Sequence, residues 1–294
     1  MNAPVSPPFP PNPVFNQQFG NWVWNGSRWV CTNTNGVRIV TQVFRSSAPY
    51  MPSPGLISLI VTCIGGGGGG GDAYGPTGTE ILVGAGGGSG GWSRISLASG
   101  LVAGGVNVTI GAGGVGAGGP DGITGGAGGA TSFGAFCVAN GGNGGTSNAG
   151  GQAGANGVPG APAGPGVGDI AWPGSQGQAG VIITGTTLQT TAGGKGGELL
   201  SGAQTTIYGS NQQYPGLPAL GNTGAGGSGA VNNQHVAAQG AGGGAGAPGI
   251  CWVDEYCWAD TIDDGCGCGS TTGGARVAIT AQGRAGWQGG FDDD

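Results

Sequence analysis

Residues 56–71 read LISLIVTCIGGGGGGG, a nine-residue apolar run set directly against seven consecutive glycines. The apolar half has the length of a strand and predicts one buried on both faces. The glycine half, taken alone, reads as a flexible linker, because it has no side chain to pack. What the rest of the chain does with this junction depends on whether its glycines fall at random or in register.

Between 65 and 250 lie 64 of the 77 glycines. Many fall at every third position: 113, 116, 119, 122, 125 and 128; 151, 154, 157 and 160; 174, 177 and 180; 240, 243, 246 and 249; and 283, 286 and 289. That period fits a left-handed helix of three residues per turn, rising about 3.1 Å per residue, in which one edge of each turn meets a neighbour where only hydrogen fits. Such a helix makes no internal hydrogen bonds, so its N–H and C=O groups must pair with adjacent chains. Collagen shares the period but needs an unbroken Gly-X-Y repeat and far more proline, whereas these runs stop after three to six glycines. A linker explains Gly65–Gly71 better than it explains the regular runs. Strand signals also interrupt the glycine field: WSRISL (92–97), VNVTI (106–110), FCVA (136–139), VIIT (181–184), TTIY (205–208) and, last, ARVAITA (275–281). The expected fold class is therefore mainly β with polyglycine-II-type helices of three residues per turn and little or no α-helix.

Composition narrows the function. Only 7% of the 294 residues are charged, against roughly 25% in ordinary soluble domains, and the net charge is −6. A negative, charge-poor chain is poorly suited to phosphate backbones. No apolar run is long enough to span a bilayer, so neither nucleic acid nor membrane insertion is expected. The first residues, MNAPVSPPFPPNP, lack the basic and apolar regions of a secretory signal, which predicts synthesis in the cytoplasm.

Five segments follow from these shifts. Residues 1–20 hold six prolines and no charge, an extended arm. Residues 21–54 read as a small β module: in WVWNGSRWVCT, Asn25-Gly26 lies between Trp- and Val-rich flanks and marks a hairpin. VRIVTQVF follows as a strand, and Ser53-Pro54-Gly55 breaks the chain. Residues 55–250 form the glycine-rich body, 251–270 a Cys- and acid-bearing insert, and 271–294 a closing strand with an acidic tail.

The order of motifs from 55 to 145 resembles the glycine-rich domain of bacteriophage tail and fibre proteins. LISLIVTCIGGGGGGG, GGGSGGWSRISLASG, VNVTIGAGGVG and GGATSFGAFCVANGGNGG match that pattern in sequence. GGARVAITA is similar to the family's closing strand, so the resemblance implies that 275–281 pairs with 56–64. WVWNGSRWV also resembles an element common in phage tail and fibre proteins. The resemblance implies a non-enzymatic virion structural protein, a head or tail fibre or its tip. Its N-terminus, with Trp22, Trp24 and Trp29, would attach to other virion proteins, and its body would face the host. A homotrimer and a location in the virion follow from the same resemblance. A stand-alone ice- or glycan-binding glycine-helix protein is the alternative, although no sustained Thr period marks an ice-binding face.

Catalytic signals are weak. The one histidine, His235, has no nucleophile in a recognisable motif beside it, and GxGxxG patterns arise by chance in so much glycine. Asp254-Glu255 and the group Asp260, Asp263 and Asp264 have the chemistry for proton transfer or a hard cation but lack the spacing of an EF-hand loop. No catalytic residue, cofactor or metal is expected. Cys251, Cys257, Cys266 and Cys268 could form disulfides, remain free or hold zinc, though C-x5-C-x8-C-x-C is not a familiar zinc spacing. Cys31, Cys63 and Cys137 read as small buried apolar residues. Trp252, Tyr256 and Trp258, flat rings beside hydrogen-bonding groups, are the candidate receptor contact for a host-surface glycan or protein; the alternative is a small core within the insert.

Overall fold

The structure, a computed structural model, describes residues 37–75, 82–118, 124–147, 158–183, 188–192, 204–208, 213–232 and 239–258, with 12, 14, 17–19, 22–24 and 29–31 near the start. The chain divides into two units, residues 35–260 and residues 1–34 with 261–294. In the latter, Gln18–Phe19, Trp22–Trp24 and Trp29–Cys31 form a three-stranded antiparallel sheet. Trp24 pairs with Trp29, so the two strands that flank Asn25-Gly26 are antiparallel partners, and residues 25–28 lie outside the described residues.

The larger unit is mainly β, made of antiparallel sheets, and its described residues include no α-helix, only a 3-10 turn at Ser99–Leu101. No described helix is long and apolar enough to cross a membrane. Its widest sheet has five strands in the order Ile170–Trp172, Trp92–Ala98, Leu56–Ile64, Ile250–Trp258, Val37–Phe44. A second sheet runs Cys137–Ala139, Thr131–Phe133, Val106–Thr109, Ala48–Tyr50. Leu59, Val61, Cys63, Leu97, Cys251 and Val253 of the first pack with Tyr50, Val108, Phe133, Cys137 and Ala139 of the second to form the core of a small sandwich. The strand expected from the apolar run is in its predicted place, Leu56–Ile64. Its neighbours are Trp92–Ala98 and Ile250–Trp258, so both edges are occupied and the place expected for 275–281 is filled by 250–258. Residues 275–281 lie outside the described residues, as do Cys266, Cys268, His235, Asp260, Asp263 and Asp264. Val37–Phe44, read from the sequence with the N-terminal module, belongs to this five-stranded sheet.

The glycines after Ile64 are not a linker. Gly65–Gly71 are buried, and their amides donate in threefold rotation. Gly65, Gly68 and Gly71 donate to the carbonyls of Gly91, Gly88 and Ala85; Gly66 and Gly69 to Gly129 and Gly126; Gly67 and Gly70 to Ala247 and Gly244. Each of these neighbours runs antiparallel. Three parallel neighbours donate back: Gly142 and Gly145 to the carbonyls of Gly66 and Gly69, Gly114 and Ala117 to Gly67 and Gly70, Gly227 and Ala230 to Gly68 and Gly71. One chain thus sits among six, with every N–H and C=O of Gly66–Gly71 bonded, which meets the demand that buried backbone groups find partners. A Cβ on any of Gly65–Gly71 would come closer than 3.0 Å to a neighbouring backbone. Described glycines of the three-residue runs make close contacts of the same kind, with Gly65–Gly71 and with one another's segments. Gly125 and Gly128 face Gly69 and Gly66, Gly243 and Gly246 face Gly70 and Gly67, and Gly174 and Gly177 face Ser89 and Gly86. At the end of the glycine segments away from the sandwich, short ribbons such as Ala73–Gly75 with Gln239–Ala241 bury Ala73, Leu82, Ala230 and Ala241.

Candidate functional site

Ile250–Trp258 alternates strictly: Cys251, Val253, Glu255 and Cys257 are buried, while Trp252, Asp254 and Tyr256 are half-buried and Trp258 is exposed. Successive side chains of a strand point to opposite faces, so the three candidate contact aromatics share the outer face of the five-stranded sheet. They are not a core of their own insert. Register extends this face across the other strands. Trp252 stands in a row with Val43, Thr62, Arg94 and Ile170; Asp254 with Thr41, Ile60 and Ser96; Tyr256 with Ile39, Ser58 and Ala98; and Trp258 beside Val37. One further row brings Ile64, Trp92 and Trp172 together. The face therefore holds five large aromatics, including Trp172 at 60% and Trp258 at 59% exposure, with Ile39 at 61%.

Polar groups are interleaved with these rings. The Thr41 hydroxyl donates to the Asp254 carboxylate at 2.6 Å, and Arg94 lies exposed one row away. Trp92, Trp172, Arg94 and Ile39 were missed as members of the site, because sequence reasoning gave no pairing between segments so far apart. The alternation of CWVDEYCW was the available signal, and the two adjacent acids obscured it.

Asp254 and Glu255 fall on opposite faces, so they cannot act together on one substrate. Glu255 is fully buried. It accepts from the Tyr50 hydroxyl at 2.6 Å, the Ser53 backbone N–H at 3.0 Å and the Ser53 hydroxyl at 2.5 Å. Burial, the largest single influence, pushes its carboxyl up, but the bonds from Ser53, Tyr50 and Gln42 together outweigh it and hold the carboxyl below the usual range. Tyr50 is pushed up, first by burial and then by the bond to Glu255. This network fixes a turn: Leu56 N–H donates to Ser53 C=O at 3.2 Å, with Pro54 next and Gly55 at φ +76°, the pattern of a type II turn. Buried and fully engaged, Glu255 positions backbone.

Cys251 and Cys257 are both buried. Six residues apart on one strand, they are about 20 Å from each other, far beyond disulfide reach, so a 251–257 pairing is excluded. No group of three or more His, Cys, Asp or Glu among the described residues is placed to hold a metal. Trp22, Trp24 and Trp29 lie in the smaller unit's hairpin, where Trp24 and Trp29 are register partners.

The model of one protein family, the glycine-rich domain, matches residues 46–256, which takes in the four-stranded sheet, the glycine segments and the five-stranded sheet except Val37–Phe44 and the last two residues of Ile250–Trp258. No curated protein matches the chain.

Proposed function

The chain belongs to the glycine-rich domain family, and from its motif order and its WVWNGSRWV element we propose that it is a non-enzymatic bacteriophage fibre or fibre-tip protein, joined to the particle by its N-terminal region and presenting its glycine-rich body to the host surface. The observation that carries this reading is the outer face of the five-stranded sheet. Trp92, Trp172, Trp252, Tyr256 and Trp258 stand on one sheet, with Arg94 and Asp254 in its rows and the Asp169 carboxylate bonded to Ser96 at its side. Such a face offers rings to the apolar C–H surface of a sugar and hydroxyls to its rim. A host-surface glycan, or a protein with a similar apolar patch, is its partner.

The threefold rotation of hydrogen bonds around Gly65–Gly71 supports a polyglycine II conformation for the glycine segments. A body held by main-chain bonds keeps the aromatic face in shape without a large side-chain core. The motif order and the WVWNGSRWV element favour the virion reading over a free glycan-binding protein, and the mixed rows of the outer face do not resemble the regular Thr repeat of an ice binder.

Adsorption to host cells tests the face. Trp252→Ala, Tyr256→Ala and Trp258→Ala should each weaken binding by about ten-fold or more while leaving the thermal midpoint in place; unchanged binding in all three overturns the site. Deleting residues 1–34, which lie outside the unit that holds both sheets of the sandwich, should abolish incorporation into the virus particle, and normal incorporation would remove the attachment claim. Light scattering should give three times the 27.9 kDa chain mass for the trimer.

A further inference from the structure

We infer that Cys63 and Cys251 form a redox-convertible pair, a cross-strand disulfide site that ties the first long strand of the body to its last. The two are direct register partners on adjacent antiparallel strands. Partners in that position have Cα atoms about 4.5–5.5 Å apart and side chains on the same face, within the span a disulfide requires. Their sulfurs are 3.5 Å apart, with the Cys63 thiol directed at Cys251. Both are fully buried, inside the sandwich core.

A third thiol is near but otherwise engaged. Cys137 directs its sulfur to the Ser93 carbonyl at 3.4 Å; its side chain also contacts Cys63, whose thiol reaches the Cys137 carbonyl at 3.9 Å. Cys257, on the strand of Cys251, is opposite Leu56 and not opposite a thiol. Among the described strand pairings, Cys63 and Cys251 are the two cysteines that stand opposite each other in register.

Contacts with Cys137 and Cys251, and then burial, push the Cys63 thiol up, so in the closed core it is a poor nucleophile. Oxidation belongs to the open state, before 250–258 closes against 56–64. The oxidant is a small-molecule disulfide such as oxidised glutathione. One protein thiolate attacks it and releases one glutathione. The second protein thiolate then attacks the mixed disulfide and releases the other. Two S–H bonds are lost, one S–S bond forms, and the two electrons and two protons leave as two molecules of reduced glutathione. The mixed intermediate is too bulky for the closed core, so folding and bond formation are coupled. The bond would close a loop running from residue 63 to residue 251, through nearly all of the glycine segments.

The test is a peptide map of the full chain refolded in a glutathione redox mixture, with free thiols trapped by N-ethylmaleimide; where refolding fails, protein expressed in an oxidising cytoplasm is mapped instead. The expected product links the Cys63 and Cys251 peptides and melts at least about 5 °C above the dithiothreitol-treated protein. Cys63→Ala and Cys251→Ala should each abolish that difference, and Cys257→Ala should retain it. Recovery of both cysteines fully alkylated, or of Cys63 linked to Cys137 or any other cysteine, overturns the inference. The wild-type map decides the matter even where a variant does not fold.

Discussion

An alanine at position 69 would bring its Cβ closer than 3.0 Å to the backbone at Val115 and Gly116, whereas one at position 118 would meet nothing within 4 Å. The substitutions have the same chemistry and opposite surroundings. Gly69→Ala must push apart two chains that have no flexible side chain to yield, which costs about 3 kcal/mol or more; Gly118→Ala should stay within about 0.5 kcal/mol of wild type. Denaturant unfolding of both variants measures the difference, and equal stabilities would refute the close-packed arrangement. Glu255 gives a second test at this scale. Its carboxyl is held below the ordinary value of 4.5 by Ser53, Tyr50 and Gln42. The stability it contributes is complete above that unfolded-state value and is lost as pH falls through it towards the lower folded value. Glu255→Gln leaves donors facing an amide and should cost about 1–3 kcal/mol at pH 7. The loss should shrink in unfolding curves taken progressively below pH 4.5, because the wild type then gives up the same contribution.

The strand Ile250–Trp258 has two jobs divided by parity. Val253 is fully buried, opposite Val61 in the sandwich core, so Val253→Ala should cost about 2 kcal/mol. Trp252→Ala, one position away on the half-buried outer face, should leave stability within about 1 kcal/mol while losing host binding. Paired melting and adsorption measurements separate the two, and a Trp252→Ala protein that unfolds as readily as Val253→Ala would place the ring in a core. The strands rich in apolar and β-branched residues were legible one by one: Leu56–Ile64 matches its expected bounds, and the sequence signals at 92–97 and 106–110 lie within a residue of the strands found. Ile250–Trp258 was not, because Glu255 puts an acid on the core face and breaks the apolar alternation. Tyr50, Ser53 and Gln42, some two hundred residues earlier, make that acid tolerable. Short strands such as Thr131–Phe133 and Ile170–Trp172 exist through their pairing and carry little local signal.

In the larger unit, the sandwich and the glycine segments share their chains. Gly65 continues from the central strand, and the segments at 85–91, 125–129 and 243–249 lead straight into Trp92, Thr131 and Ile250, while those at 112–117 and 140–146 follow soon after Thr109 and Ala139. The three-residue period was legible in the sequence. Which run stands at the centre was not, because Gly65–Gly71 carry glycine at every position and so display no period; all of their contacts are too close for a side chain. A strand that fixes the registry of one end also fixes the other, so the two parts should unfold together. Hydrogen exchange reads this directly. The amides of Gly65–Gly71, all bonded, should exchange only through global opening. Val253→Ala, though it lies in the sandwich, should then speed their exchange by about 30-fold, the factor equivalent to its roughly 2 kcal/mol loss. Exchange within seconds would return these residues to the linker reading, and slow exchange unaffected by Val253→Ala would mean that the glycine segments and the sandwich are separate cooperative units.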